Sequence, residues 1–577
     1  MSRKRILLII IPVLAVLFLS ILFLQQCTQS EDERFQTYTN TLFRQEVSGN
    51  AISLHYTLQD PSAYQIYNTP TSLGRITTDT DSIGATAENA LAALHTYNPD
   101  KLSQENKLTY ELLENTFTLS KNMAPYALYE EPLSPLTGTQ AQLPILLSEY
   151  QFYNREDVDT YLRLLKNLPE YFHGIMDFET AKAEAGLFMT ETRASKIIEE
   201  CNVFVNMGNE NYLHSTFQNR LKTLNLSAKD YQYYIEENAS IIKTHVYPAY
   251  ELLKSHLISL KNKGINENGL CHFPDGKNYY ELLVNETTGS KRTILELQTL
   301  TLKQIMNDLD VMENTLSSFT QPSISDWSKQ SDILSDSNPT SILTTLKKNI
   351  AGNFPKPCDA NISIKYVDES MEEYLSPAFY LIPAIDNTSE NVIYINPAHM
   401  TDDISLFTTL AHEGYPGHLY QTTYFANTNP SPIRHLLTCS GYVEGWATYC
   451  EMMSYYFIPI LSKSEVTVMQ KNASIMLGLY ALADMGIHYE GWTLIDTIDF
   501  FRNYGVYDTD SIEEIFNLIL GDPANYLKYY IGYLEFLELK KDAIKSWGNE
   551  FTQERFHEEI LEVGPIPFDL LRKKWGL

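Results

Sequence analysis

Through residues 85–260 apolar side chains recur at intervals of three and four, as in "DVDTYLRLLKNLPEYFHGIMDFETAKAEAG" and "SAKDYQYYIEENASIIKTHVYPAYELLKSHLISL". That recurrence matches the α-helical turn, so each stretch carries an apolar stripe that has to be buried against other helices. Asp157 and Ser227 stand where helix caps belong. The helical pattern resumes at 289–318 and again after 404. Between these, "ISIKYVDE" and "NVIYINP" are short runs of β-branched and aromatic residues, which predict a few strands around 363–396. The expected fold class is mainly α with a small β element. With 577 residues, 44% hydrophobic and 20% charged, the chain has an ordinary globular composition and is long enough for a large multilayered core.

The amino-terminal run Ile6 to Leu24 holds nineteen uncharged residues behind Arg3, Lys4 and Arg5. As a helix it rises about 28 Å, enough to cross a bilayer core, and the preceding cations favour a cytoplasmic amino terminus. A membrane signal anchor is the leading expectation. The alternatives are a cleaved signal peptide and lipid attachment at Cys27, although Gln25 and Gln26 replace the small residues such processing prefers. Each alternative places the body of the protein outside the cytoplasmic membrane.

The formal net charge of −29 repels phosphate backbones, and no basic groove is visible in the sequence, so nucleic acid is not an expected partner. The six cysteines form no CxxC pair, which argues against a zinc knuckle or a thioredoxin-type site. A disulfide such as Cys271–Cys358 is permitted outside the cell, but spacing does not specify pairing.

The stretch "TLAHEGYPGHLYQ" concentrates His412, Glu413 and His418. Zinc-binding histidines on a peptidase helix normally stand four apart, about 40° around the axis, whereas positions six apart differ by about 240°. Pro416 and Gly417 interrupt the helix between them. A bulge there would return both imidazoles to one side; otherwise the two histidines simply flank a kink. Further on, "GYVEGWATYCEMMSYYF" places Glu444 and Glu451 on one helix face among apolar neighbours. Carboxylates in such surroundings need a cation or hydrogen bonds.

The pairing of "HEGYPGH" with "EGWATYCE", followed by "ALADMGIHYEGWT" and "DPANYLKYYIGYLEFLEL", resembles the bacterial DUF885 family. That family is similar in fold to helical gluzincin-like zinc peptidases, including Taq-type carboxypeptidases and angiotensin-converting enzyme. The resemblance implies one Zn2+ ion held by His412, His418 and Glu444, in a helical fold with a deep central cleft. It implies Glu413 as general base and His488 and Tyr529 as donors to the developing oxyanion. Glu451 is expected to orient a ligand histidine, and Asp484 to orient His488. Arg434, Tyr394, Asn396 and Tyr530 are the substrate-binding candidates.

The expected organisation is residues 1–27 as cytoplasmic residues and anchor or signal segment, then 28–50 as a polar stalk. Residues 51–320 follow as a helical substrate-channel region and 321–577 as the zinc catalytic region. The expected function is zinc-dependent hydrolysis of peptides by an exopeptidase or oligopeptidase. Alternatives are a peptide-binding scaffold without turnover and an amidase acting on cell-wall peptides.

Overall fold

The computed structural model describes residues 29–135, 137–318, 336–367, 369, 372, 375–400 and 402–577. The fold is mainly α-helical with one small sheet. Helix α1 (Glu31–Ser48) opens with a capping box in which the Ser30 hydroxyl accepts the Glu33 N–H and the Glu33 carboxylate accepts the Ser30 N–H. Its Phe35, Thr39, Phe43 and Val47 recur every four residues and are buried, the apolar three packing with Leu54, Leu94, Leu113 and Ile433. The polar stalk expected over 28–50 is thereby corrected: one stripe of this segment belongs to the folded body.

Among the described residues no helix is long and apolar enough to cross a membrane, so the membrane-anchor expectation finds no support there. The run Ile6–Leu24 on which it rested lies outside those residues.

A second core is built around α2 (Arg155–Glu184) and α3 (Tyr247–Leu260), with Leu164, Leu165, Phe172, Tyr250 and Leu253 fully or almost fully buried. The largest core gathers Leu112 with residues between Leu270 and Leu571. It takes in α4 (Gly276–Thr288), α5 (Ile294–Ser317), α6 (Asp403–Glu413), α7 (His418–Asn427), α8 (Ser440–Ser454), α9 (Lys463–Met485) and α10 (Asn525–Trp547). The expected boundary at 320/321 lies outside the described residues. Packing nevertheless divides earlier, between Leu260 and Leu270, because α4 and α5 bury Tyr280, Val284, Leu297 and Ile305 in the carboxy-terminal core.

The sheet has the order β1 (Asn361–Tyr366), β3 (Glu390–Ile395), β2 (Ala378–Leu381). β1 runs parallel to β3, while β2 is antiparallel to it, with Ala378 opposite Ile395 and Leu381 opposite Val392. Alternation along a strand sends neighbours to opposite faces. Thus edge strand β2 turns Tyr380 to the largest core and Phe379 and Leu381 to the second, and the sheet joins the two. The five described cysteines are all unpaired, so Cys271 and Cys358 are not bridged.

Candidate metal centre

Asp402 caps α6 by accepting the N–H groups of Ile404 and Ser405, and the helix carries His412 and Glu413 in its last turn. Gly414 then leaves helical geometry at φ −110°, ψ −103°, the Tyr415–Pro416 bond is cis, and α7 starts at His418. Two helices meeting at a tight turn therefore replace the single bulged helix expected from the spacing. The turn closes through Gly417 N–H to the Ala411 carbonyl at 2.9 Å and Tyr420 N–H to the Gly414 carbonyl at 3.2 Å. A Cβ on Gly417 would lie 1.8 Å from the His412 carbonyl oxygen, so this close approach requires glycine. The result is two imidazoles with centroids 4.8 Å apart and planes at 81°.

Helix α8 brings both carboxylates to these rings. Glu444 Oε2 lies 3.5 Å from His412 Nε2 and 3.2 Å from His418 Nε2, while Glu451 Oε2 lies 3.0 Å from His412 Nδ1. Ligand atoms 2.0–2.2 Å from a tetrahedral ion are separated by about 3.4 Å. The observed spacings have that size. Glu413 is also in reach, since ligand atoms of His412, Glu413 and His418 all fall within 4.8 Å of one another. Its Oε2, however, accepts the Tyr380 N–H at 2.8 Å. The cluster can hold a metal ion, and the shortest separations from the imidazole Nε2 atoms belong to Glu444.

Electrostatics separate the two carboxylates. Burial pushes Glu413 above the usual carboxylate range, although His418 and His412 oppose it. Glu444 is also penalised by burial, but its hydrogen bonds to His412 and His418 outweigh that and hold it well below the range.

The surrounding helices set these positions. The Trp446 indole donates to the Pro416 carbonyl at 2.9 Å, and the Cys450 thiol approaches the same oxygen at 3.4 Å. α8 and α10 cross at bare backbone: a Cβ on Gly445 would sit 2.3 Å from the Gly532 carbonyl carbon, and one on Gly532 2.0 Å from the Gly441 oxygen. Glu444 adjoins that contact on α8, and Tyr529 precedes it by almost one turn on α10. The Tyr529 and His412 rings are 6.3 Å apart.

These groups open on a cavity of about 430 Å³ lined by His412, Glu413, His418, Glu444, Glu451 and Tyr529. Ser376 to Tyr380 form one wall, and Thr409, Thr422 and Val443 complete others.

The profile "Bacterial protein of unknown function (DUF885)" matches residues 77–574. The chain belongs to the DUF885 family. A "putative lipoprotein" from Colwellia psychrerythraea superposes on this DUF885 chain with a TM-score of 0.81 at 17% identity, covering 95% of this chain and 99% of that one. A "putative lipoprotein of unknown function" from Shewanella oneidensis gives 0.65 at 16% identity, over 94% and 100% of the two chains. Both likenesses show a shared fold. A "putative oligoendopeptidase F" from Bacillus anthracis str. Ames reaches only 0.29 at 10% identity, over 85% and 92%, too slight to bear on fold or activity. No curated protein matches the chain.

Several residues expected at the site lie elsewhere in this DUF885 chain. His488 is buried in the core, where its Nδ1 accepts the Leu270 N–H at 3.2 Å and its Nε2–H donates to the Ile519 carbonyl at 2.9 Å. With both ring nitrogens occupied, and burial lowering its pKa to about 4, it is a neutral structural histidine and not an oxyanion donor. Asp484 does not orient it. That carboxylate accepts the Tyr280 hydroxyl at 2.5 Å and the Ala524 N–H at 3.0 Å, which fixes the start of α10 where Ala524 has φ +65°.

The substrate-binding candidates are corrected on the same grounds. Arg434 is 4% exposed and donates to the Val563 carbonyl at 2.7 Å. Asn396 is fully buried and ties down the carbonyls of Glu372 and Leu375 at 2.8 and 2.9 Å. Tyr394 stacks on Phe379 and donates its hydroxyl to Glu149. Tyr530, fully buried, packs on Gly478 of α9. None of the four lines the cavity.

Sequence reasoning missed the Tyr380 N–H that holds Glu413, and no local pattern marks it. It also missed the Gly445–Gly532 crossing and the Trp446 tether, although "EGW" and "YIGY" display those glycines and that indole.

Proposed function

We propose that this chain is a zinc-dependent hydrolase of peptide bonds, acting on peptides as an exopeptidase or oligopeptidase outside the cytoplasm. The observation that carries the reading is the convergence of His412 Nε2, His418 Nε2 and Glu444 Oε2 at separations of 3.2 and 3.5 Å from the shared carboxylate oxygen, with Glu413 beside them. Two imidazoles and a carboxylate are a donor set suited to zinc, and hydrolytic sites of that kind keep a further position open. When bound, the ion supplies Lewis acidity toward a carbonyl oxygen and makes water more acidic.

The chain's own groups do the rest. Glu413, raised by burial and aimed by the Tyr380 N–H, accepts the proton of the attacking water and delivers it to the leaving amine. Tyr529 keeps its phenolic proton, because burial and the charges of Glu444 and Glu413 push its pKa up. Its hydroxyl is therefore a donor for the negative charge that develops on the carbonyl oxygen. Glu451 accepts from His412 Nδ1 and so presents Nε2 as the ligand atom. The cavity forms the catalytic part of a cleft.

An extracytoplasmic location is supported by the basic, apolar amino terminus and by the lipoprotein description of two proteins sharing the fold. The test is zinc analysis of residues 29–577 together with cleavage of a mixed peptide library. Near-stoichiometric zinc and cleavage abolished by Glu413→Gln support the reading; full cleavage by Glu413→Gln refutes it.

A further inference from the structure

A second cavity, of about 610 Å³, adjoins the metal cavity. The two share Ser376, Pro377 and Phe379 as lining residues, so they meet along edge strand β2. On the far side the wall is apolar: Tyr56, Ile145, Leu146, Leu375, Phe379 and Leu381. Its polar groups are largely engaged already. The Tyr56 hydroxyl donates to the Leu146 carbonyl at 2.7 Å, Ser376 Oγ to the Ala378 carbonyl at 3.0 Å, and Glu149 receives the Tyr394 hydroxyl. His399 Nε2 lies 3.2 Å from the Glu372 carbonyl. Leu146 is nevertheless 40% exposed, an apolar surface facing a space of ligand size with few free hydrogen-bonding groups.

We infer that this cavity is the specificity subsite of the proposed hydrolase and takes a large apolar side chain of a peptide residue near the scissile bond. The inference rests on the hydrolase reading for its link to cleavage. Phe379 lines both cavities, which places an occupant next to the reacting centre, and an apolar occupant is the one that removes the exposed Leu146 surface and the partly buried Phe379 ring from water without stranding a polar group. A charged side chain would lose its hydration with few unengaged partners in return.

The test uses the full chain in two arms. In the zinc-loaded Glu413→Gln chain, calorimetry compares hexapeptides that carry leucine or aspartate at one scanned position and alanine elsewhere. The leucine peptide is expected to bind more tightly at one position by about tenfold or more, the scale of burying one such side chain. Leu146→Asp and Leu146→Trp, at a partly exposed helix position, are each expected to remove that preference. In the native chain, the same position is expected to govern the cleavage rate. Cleavage with no apolar preference, or a preference untouched by either Leu146 variant, overturns the inference and leaves the hydrolase reading standing. Selective apolar binding without any cleavage by the native chain overturns the hydrolase reading and leaves the cavity's ligand as inferred.

Discussion

The Trp446 indole N–H meets the Pro416 carbonyl at 2.9 Å, tying the helix that bears Glu444 to the turn between His412 and His418. Trp446 is fully buried, so losing this donor strands a carbonyl whose remaining contact is the Cys450 thiol at 3.4 Å. Trp446→Phe is expected to lower stability by about 1–3 kcal/mol from that carbonyl alone. It should also weaken metal retention, measured by chelator competition. Unchanged metal affinity in the folded variant would show that the tether does not position the ligands.

Glu451 contacts the cluster only through His412 Nδ1, at 3.0 Å. Glu451→Ala is therefore expected to weaken zinc binding by about 10–100-fold, the usual effect of removing a carboxylate behind a ligand histidine. Glu444→Ala removes a ligand and should cost more. Equal losses in the two variants, read by zinc titration, would contradict the division of roles between them.

At the crossing of α8 and α10 there is no room for a side chain, a Cβ on Gly445 falling 2.3 Å from Gly532 backbone. Gly445→Ala forces the helices apart and is expected to destabilise the fold by about 1–3 kcal/mol. Because Glu444 and Tyr529 flank the contact, activity should fall even at temperatures where the variant remains folded. An alanine variant with native melting temperature and native turnover would refute the geometry.

Glu179 on α2 is fully buried, and neither carboxylate oxygen has a hydrogen-bond partner among the described residues. Burial raises its pKa from 4.5 to about 7, with Lys182 opposing. The folded state therefore holds a proton that the unfolded chain has released above its own pKa. The stabilisation is complete below pH 4.5 and is lost as pH rises toward 7, at about 1.4 kcal/mol per pH unit. Glutamine carries no such titration. Urea denaturation should show Glu179→Gln gaining on the native chain between pH 5 and pH 7, whereas a pH-independent difference would place the Glu179 proton elsewhere.

The helices were legible because their apolar spacing is local, and the strands because "NVIYINP" and "ISIKYVDE" change texture. The amino-terminal helix was legible too and was overlooked: Ser30 and Glu33 form a capping box, and Phe35, Phe43 and Val47 keep a helical interval. In the site, Pro416 and Gly417 marked the interruption between His412 and His418, but the spacing suggested a bulge within one helix where the structure has a turn between two. His488, Arg434, Tyr394 and Asn396 were misplaced for a common reason. Nearness to a motif along the chain does not reveal which backbone carbonyls or side chains a polar group meets after folding, and those partners lie on distant segments such as Ile519, Val563 and Glu149.

The central claim is that two imidazoles and Glu444 grasp one ion. Anomalous diffraction at the zinc edge from crystals of the zinc-loaded chain tests it most directly. The account predicts a single strong peak about 2.0–2.2 Å from His412 Nε2, His418 Nε2 and a Glu444 oxygen. A peak bound by Glu413 with Glu444 turned away, or no peak between the histidines at saturating zinc, would contradict it.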